Sequence, residues 1–244
     1  MIEAGRHHSY HLEKLAAQVD LARAYPRSGL IVVDGVEFNE RGIIRSSLLS
    51  AEYLKEFPEN EVSSGNYYHQ LLQRQFISTT SQVMVPARVF KTIGLSNAKF
   101  NRANDWDLYI RIAEKFDVTV SKRRLTRWRC LDSSASGPKT TRDFSYLPEE
   151  IAILQHHLHC TRREDRTFLR RTIDARVAAG LEDLYYFGLK TDRAFATRLL
   201  LKLSGLRSSS LTALIFLLGL WCPRWITRKL GRVARTMTTV THDL

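Results

Sequence analysis

The chain is poor in cysteine, in long apolar runs and, toward its end, in acids, and each shortage excludes a class of protein. Its three cysteines, Cys130, Cys160 and Cys222, are odd in number and widely spaced. With no CxxC pair, neither a zinc knuckle nor a redox motif is expected, and a reducing compartment is the simpler reading. The opening MIEAGRHHSYHLEKL has no apolar core of the kind a signal peptide needs, so export is not expected. The longest apolar run, LTALIFLLGLWC at 211–222, has twelve residues. As a helix it would span about 18 Å, short of the roughly 30 Å hydrocarbon core of a bilayer. Internal repeats and low-complexity blocks are lacking too.

What is present is globular in composition. The 244 residues are 44% hydrophobic and 25% charged, enough for one fair-sized core or a domain with an extension. Lys and Arg number 37 against 25 Asp and Glu, a formal charge of +12. Such an excess suits an acidic partner: anionic lipid, nucleic acid or a phosphorylated ligand. The excess is concentrated, because residues 190–235 hold ten Lys or Arg and the single acid Asp192. The same segment contains the apolar run, which includes Trp221, is closed by Pro223 and is followed by Trp225. A helix lying among lipid headgroups would use these residues well, its apolar face inserted and its basic residues on anionic lipid. A core helix with a solvated basic surface uses them equally well. The location expected is the cytoplasm, with the tail at the inner face of the plasma membrane. Nucleic acid ranks below lipid, since no recognition motif accompanies the charge.

Along the chain, HLEKLAAQVDLARAYP reads as a helix with Leu12, Leu15, Val19 and Ala22 on its apolar stripe and Pro26 ending it. LIVVDG at 30–35 reads as a short buried strand closed by Asp-Gly, and VEFNERGII as a hairpin or loop around 39–42. SAEYLKEF and NYYHQLLQRQF read as short helices. TTSQVMVPARVF starts as a strand, after which Pro86 opens a helix that Gly94 stops. VTVSKRRLTRWRC supplies another strand. The layout is α/β to about Arg129, followed by a turn-rich linker, SSASGPKTT, and then by helices. The longest of these carries Leu169, Ile173, Val177, Leu181 and Leu184 on one stripe.

Candidate chemistry centres on NRANDWDLYIRIAEKF at 101–116. Taken alone, Asp105 is expected as an N-cap, worth roughly 0.5–2 kcal/mol. Asp107 would sit in the first turn and pair with Arg111 four residues on, while Trp106, Tyr109, Ile110, Ala113 and Phe116 form the buried face. Two aspartates two positions apart on a helix point to different sides and do not readily share a metal. His156, His157, His159 and Cys160 fan around a helix axis, so a surface helix is the expectation there rather than a zinc site.

The order of these segments resembles the distal half of glycosyltransferase family 2 domains. In that family an E-D-W-D-L-W-x-R-I-A signature follows F-x-x-[IV]-G-x-F and precedes Y-R-x-H-x-x-S-x-S. A helix of the form P-E-K-L-x-x-Q-V, just past the metal-binding acids, looks like HLEKLAAQVDLARAYP. The match runs from about Leu12 to Ser136. The resemblance implies that Asp105 is the catalytic base of an inverting transfer, taking the proton of the acceptor hydroxyl. It also implies that Asn104, Trp106, Asp107 and Arg129 lie at the substrate. This chain departs from the pattern at Asn104, where the family often has Glu, and at Leu131, where it has His; Ser134 and Ser136 match. RLTRW at 124–128 is similar to the Q-x-x-R-W of processive synthases, but Arg124 stands in the Gln position and the segment reads as strand.

A family member would also begin with strands that hold the nucleotide and with a D-x-D pair for Mg²⁺ or Mn²⁺, a task for hard oxygen ligands. Only MIEAGRHHSYH precedes Leu12, and His7, His8 and His11 do not replace a carboxylate pair. The fold class expected is therefore α/β, an incomplete GT-A (Rossmann-like) half-domain followed by an α-helical C-terminal extension. Its divisions are 1–132 for the acceptor-side half, 133–147 for the linker, 148–189 for a helical region and 190–244 for a basic amphipathic tail. Without the early strands the remaining ones are expected to present open edges. The function expected is transfer of a sugar from a nucleotide-diphosphate donor to a saccharide or lipid-linked acceptor in cell-surface polysaccharide or glycan synthesis. Catalysis is not expected of the chain alone, and a separate chain supplying the missing half is one way to complete it. The competing class is a non-enzymatic, basic module that docks on membrane or nucleic acid.

Overall fold

The computed structural model of the chain describes residues 2–4, 8–56, 61–130, 144, 146–190, 192–204, 217–218 and 220–221. The chain divides into two units, Met1–Asp143 and Phe144–Leu244. The first combines helices with a curled, mixed sheet of seven strands, and helices alone make up what is described of the second. The chain is thus of the general α/β class. The expected linker at 133–147 falls almost wholly outside the described residues, as do Leu131, Ser134 and Ser136.

Two long strands carry the first unit. β3 (Ser28–Asn39) and β7 (Asp117–Arg129) pair in parallel, and the shorter strands add to them antiparallel, one of them through a neighbour. β3 is twice the length expected for LIVVDG, because Asp-Gly does not close it. At Val33/Asp34 and Asp34/Gly35 its register with β7 shifts instead. Such bulges bend a strand and raise its twist without ending it. Gly35 is required at this bend: a Cβ there would stand 2.3 Å from the Thr126 carbonyl oxygen. Asp34, 2% exposed, accepts hydrogen bonds from Gly35 N, Leu48 N, Leu49 N and Ser47 Oγ. Four donors disperse its buried charge and fix the chain's return after the hairpin.

The open edges expected of a half-domain are not found on this pair. One edge of β7 is covered by β5 (Val62–Gly65) along residues 118–121 and by β2 (His8–Tyr10) along 126–128, with β1 (Ile2–Ala4) outside β2. The far edge of β3 is covered by β6 (Val83–Met84) at 31–32 and by β4 (Gly42–Arg45) at 37–39. Short strands cap each long edge in halves, which satisfies the ladder groups that would otherwise invite another chain. The turn joining β3 to β4 is as expected, with Asn39 Oδ1 accepting from Arg41 N and Gly42 at φ 125°.

α1 (Lys14–Ala24) corrects the sequence reading of its faces. Leu12, Leu15 and Val19 are 67%, 64% and 38% exposed, while Lys14, Ala17 and Gln18 are buried. Gln18 explains the rotation: its Nε2 donates to Ile31 O and to Gln82 O, and its Oε1 accepts from Lys14 Nζ. Gln82 in turn donates to Val33 O and closes a capping box with Thr79. Hydrogen-bonding demand at the edge of β3, which β6 covers for only two residues, outweighs the modest gain from burying leucines. Thr79 therefore starts a 3-10 turn (Thr80–Gln82), and the strand expected from Thr79 is confined to the two residues of β6.

The remaining elements follow the sequence. α2 (Ala51–Glu56) and α3 (Tyr68–Gln73) are short helices; α4 (Ala87–Ile93) begins after Pro86 and stops at Gly94, whose φ of 75° suits glycine. α5 (Asn104–Lys115) buries Trp106, Tyr109, Ile110, Ile112 and Ala113.

In the second unit, α6 (Tyr146–Cys160), α7 (Arg166–Lys190) and α8 (Arg193–Ser204) are helical. The stripe from Leu169 to Leu184 is fully buried, as expected. Gly180 lets α6 approach α7, since a Cβ there would overlap Leu147. Glu150 pairs with Arg176; burial raises the Glu150 carboxyl against the opposing pull of the guanidinium. Ala196, Leu200 and Leu220 are also fully buried. α8 thus contributes to the core of the helical unit. Most of 205–235 lies outside the described residues. Among the described residues, no helix is long and apolar enough to cross a membrane.

Candidate functional site

The loop before α5 and the first turn of that helix bring the candidate residues into one corner. α5 starts at Asn104 with Ala103 as its cap and no capping side chain, so Asp105 is the second helical residue and not the N-cap. Its Oδ1 accepts from Trp106 N at 2.8 Å, and its Oδ2 from Gln75 Nε2 at 3.2 Å. Burial raises its carboxyl above the ordinary carboxylate range, and the hydrogen bonds from Trp106 N and Gln75 pull the other way. A half-buried carboxylate held by two donors suits the acceptance of a proton.

Asp105 opens on a cleft of about 480 Å³ walled by the 3-10 turn, β6, α4, α5 and the loop after α4. Its lining is Thr80, Val83, Val85, Phe90, Ser96, Asn104, Asp105, Leu108 and Tyr109. Asp105 also acts on the Tyr109 phenol, which burial and this nearby charge hold well above its usual range.

Two of the expected substrate residues turn inward. Trp106 is 1% exposed and donates its indole Nε1–H to Leu71 O at 2.7 Å. Asp107 is 0% exposed and pairs with Arg111 Nε at 2.9 Å, the i to i+4 pairing expected. Arg111 then spends its other nitrogens on Ile93 O and Leu95 O, tying α5 to the end of α4. Both are covered in this structure, and each is a structural member of the α5 start, as the buried face expected for Trp106 and the pairing expected for Asp107 require. Asn104 does line the cleft.

Arg129 is not among the residues that line this cleft. It lies at the end of β7, over the Phe38 ring. There Arg127 and Arg129 hold their guanidinium carbons 4.7 and 5.4 Å from the Phe38 ring centroid. A second hollow of about 300 Å³ lies at the start of β7, with Arg27, Arg88, Lys115, Glu114 and Asp117 in its lining. Arg88 is committed to Pro26 O and Ser28 O, and Arg27 to Asp117 at 3.2 Å, so this hollow is a knot that fixes the strand start.

Gln75 is the site residue that the sequence hides. NYYHQLLQRQF reads as helix throughout, but α3 ends at Gln73 and leaves Gln75 in a loop facing Asp105. No local pattern distinguishes it from a surface glutamine.

Among the described residues, no three His, Cys, Asp or Glu side chains converge to hold a metal ion. Comparison with family models, with curated proteins and with solved structures returned no match.

Proposed function

We propose that the first unit is the acceptor side of an inverting, nucleotide-sugar-dependent glycosyltransferase of the family 2 type, with Asp105 as general base. In the step assigned to it, an acceptor hydroxyl oxygen bonds to the anomeric carbon of the donor. The carbon–oxygen bond to the nucleotide diphosphate breaks from the opposite face, its electron pair leaving with the phosphate. The hydroxyl proton passes to an Asp105 carboxylate oxygen. The observation that carries the reading is the Asp105 carboxyl itself, held by Gln75 and Trp106 N in the wall of a cleft, with its proton affinity raised by burial. In this reading the donor site and its cation are supplied by a second chain. Nucleotide-diphosphate sugar and a saccharide or lipid-linked acceptor are the substrates of this reading.

The test is transfer of labelled sugar from nucleotide-sugar donors to endogenous acceptors in extracts of cells that lack the gene. Adding the purified chain restores transfer, and adding Asp105→Asn at the same concentration does not. Equal activity of the two proteins, or no effect of either, would refute the assignment.

A second reading, a basic module at an anionic membrane, draws on the helical unit, where Leu201, Leu218 and Trp221 are 56%, 57% and 63% exposed. Exposed leucines and a tryptophan in a segment rich in Lys and Arg suit insertion at headgroup depth. Co-sedimentation with vesicles containing phosphatidylserine, but not with pure phosphatidylcholine, is the outcome this reading requires.

A further inference from the structure

We propose that the Asp105 cleft takes an uncharged hydroxyl compound with an apolar body and rejects phosphorylated or carboxylated ones. The inference rests on the transferase reading for what the compound is used for, and on the cleft alone for its chemical class. None of the nine lining residues is Lys, Arg or His, and Asp105 is the one carboxylate among them. An anion entering here would meet that carboxylate at short range in a half-desolvated site, where like charges repel far more strongly than in water.

The start of a helix ordinarily attracts anions through its free N–H groups. Here that attraction is already used. Asp105 Oδ1 accepts from Trp106 N, Asp107 stands in the same turn, and its own N–H is bonded to Ala103 O. Two acids offset the positive end of α5 before any ligand arrives. The basic side chain closest in the helix, Arg111, is committed to Asp107 and to the carbonyls of Ile93 and Leu95.

The walls state what the cleft does accept. Val83, Val85, Phe90 and Leu108 are half-buried and give it an apolar flank, against which the C–H face of a sugar ring or an alkyl chain packs. Thr80, Ser96 and Asn104 supply neutral hydrogen-bonding groups beside the carboxylate. The Oδ2 atom of Asp105 is shared with Gln75 at 3.2 Å, a long bond that leaves it able to accept from a ligand hydroxyl.

The experiment uses the full chain labelled with ¹³C at Val and Leu methyls, titrated with n-hexyl β-D-glucopyranoside and with n-hexyl β-D-glucuronide. These probes differ only in a hydroxymethyl group against a carboxylate. The methyls of Val83, Val85 and Leu108 shift saturably with the glucoside, and the glucuronide binds at least about tenfold more weakly at neutral pH. Asp105→Asn removes the charge and brings the two probes within about threefold of each other. The proposal is overturned if the glucuronide binds as tightly as the glucoside, if the two differ as much in Asp105→Asn as in the parent, or if neither probe moves these methyls. Glucoside binding in a chain that restores no transfer to deletion extracts would sink the transferase reading and leave the ligand class standing. Restored transfer without binding of the neutral probe does the opposite.

Discussion

Removing Arg111 should unfold the corner that holds the candidate base, although the residue touches neither Asp105 nor the cleft. Arg111→Ala leaves the Asp107 carboxylate, 0% exposed, without the guanidinium that pairs with it at 2.9 Å. Breaking a buried pair from one side costs about 3–5 kcal/mol, because the remaining charge stays desolvated. The carbonyls of Ile93 and Leu95 also lose their donors, but they flank exposed Leu95 and can turn to water, so they add little. For a unit of this size the melting point should fall by on the order of 10 °C. Arg111→Lys keeps the charge without the fork that reaches two carbonyls and the carboxylate together, and should cost an intermediate amount. The assay is urea unfolding followed through the indole N–H resonance of Trp106, which reports this unit by itself. Asp107→Leu combined with Arg111→Met removes both charges and should be less destabilising than Arg111→Ala alone. A cost under about 1 kcal/mol for Arg111→Ala, or a double variant worse than the single, would refute the account of this pair as a buried clamp.

Other substitutions test neighbouring arguments. Asp105→Asn should stabilise the chain at neutral pH. The carboxyl is raised above its ordinary value of 3.8 by burial, so ionisation costs the folded state more than the unfolded one. The cost is absent below 3.8, where both states are protonated, and grows as pH rises toward the raised value; urea midpoints of the two proteins should therefore converge in acid and separate above it. Gly35→Ala places a Cβ against the Thr126 carbonyl and should cost on the order of 3 kcal/mol, read as a lowered urea midpoint. Trp106→Phe removes the bond to Leu71 O and part of the core volume, a loss of about 1–3 kcal/mol in the same assay. Leu15→Ser, at a position 64% exposed, should change stability by no more than about 0.5 kcal/mol; a larger loss would restore the apolar stripe of α1 as its buried face.

How much was legible depended on the range over which each feature is decided. The stripe from Leu169 to Leu184, the strand over 117–129, the Asn39–Gly42 turn and the stop at Gly94 follow from periodicity, branching and the backbone freedom of single residues, all local. So does the pairing of Asp107 with Arg111, which helical spacing alone brings together. Within the site, helical periodicity put Trp106 on the buried face and Asp107 beside Arg111, whereas the family resemblance grouped both with Asn104 and Asp105 at the substrate, and local sequence does not choose between the two. The tertiary structure decided that by laying α5 against Leu71 and the end of α4. It also brought Gln75 to Asp105 from thirty positions away and turned α1 so that Gln18 meets the carbonyls of Ile31 and Gln82. Backbone groups buried by long-range packing must find partners, and where they lie is not written in the spacing of the residues that serve them.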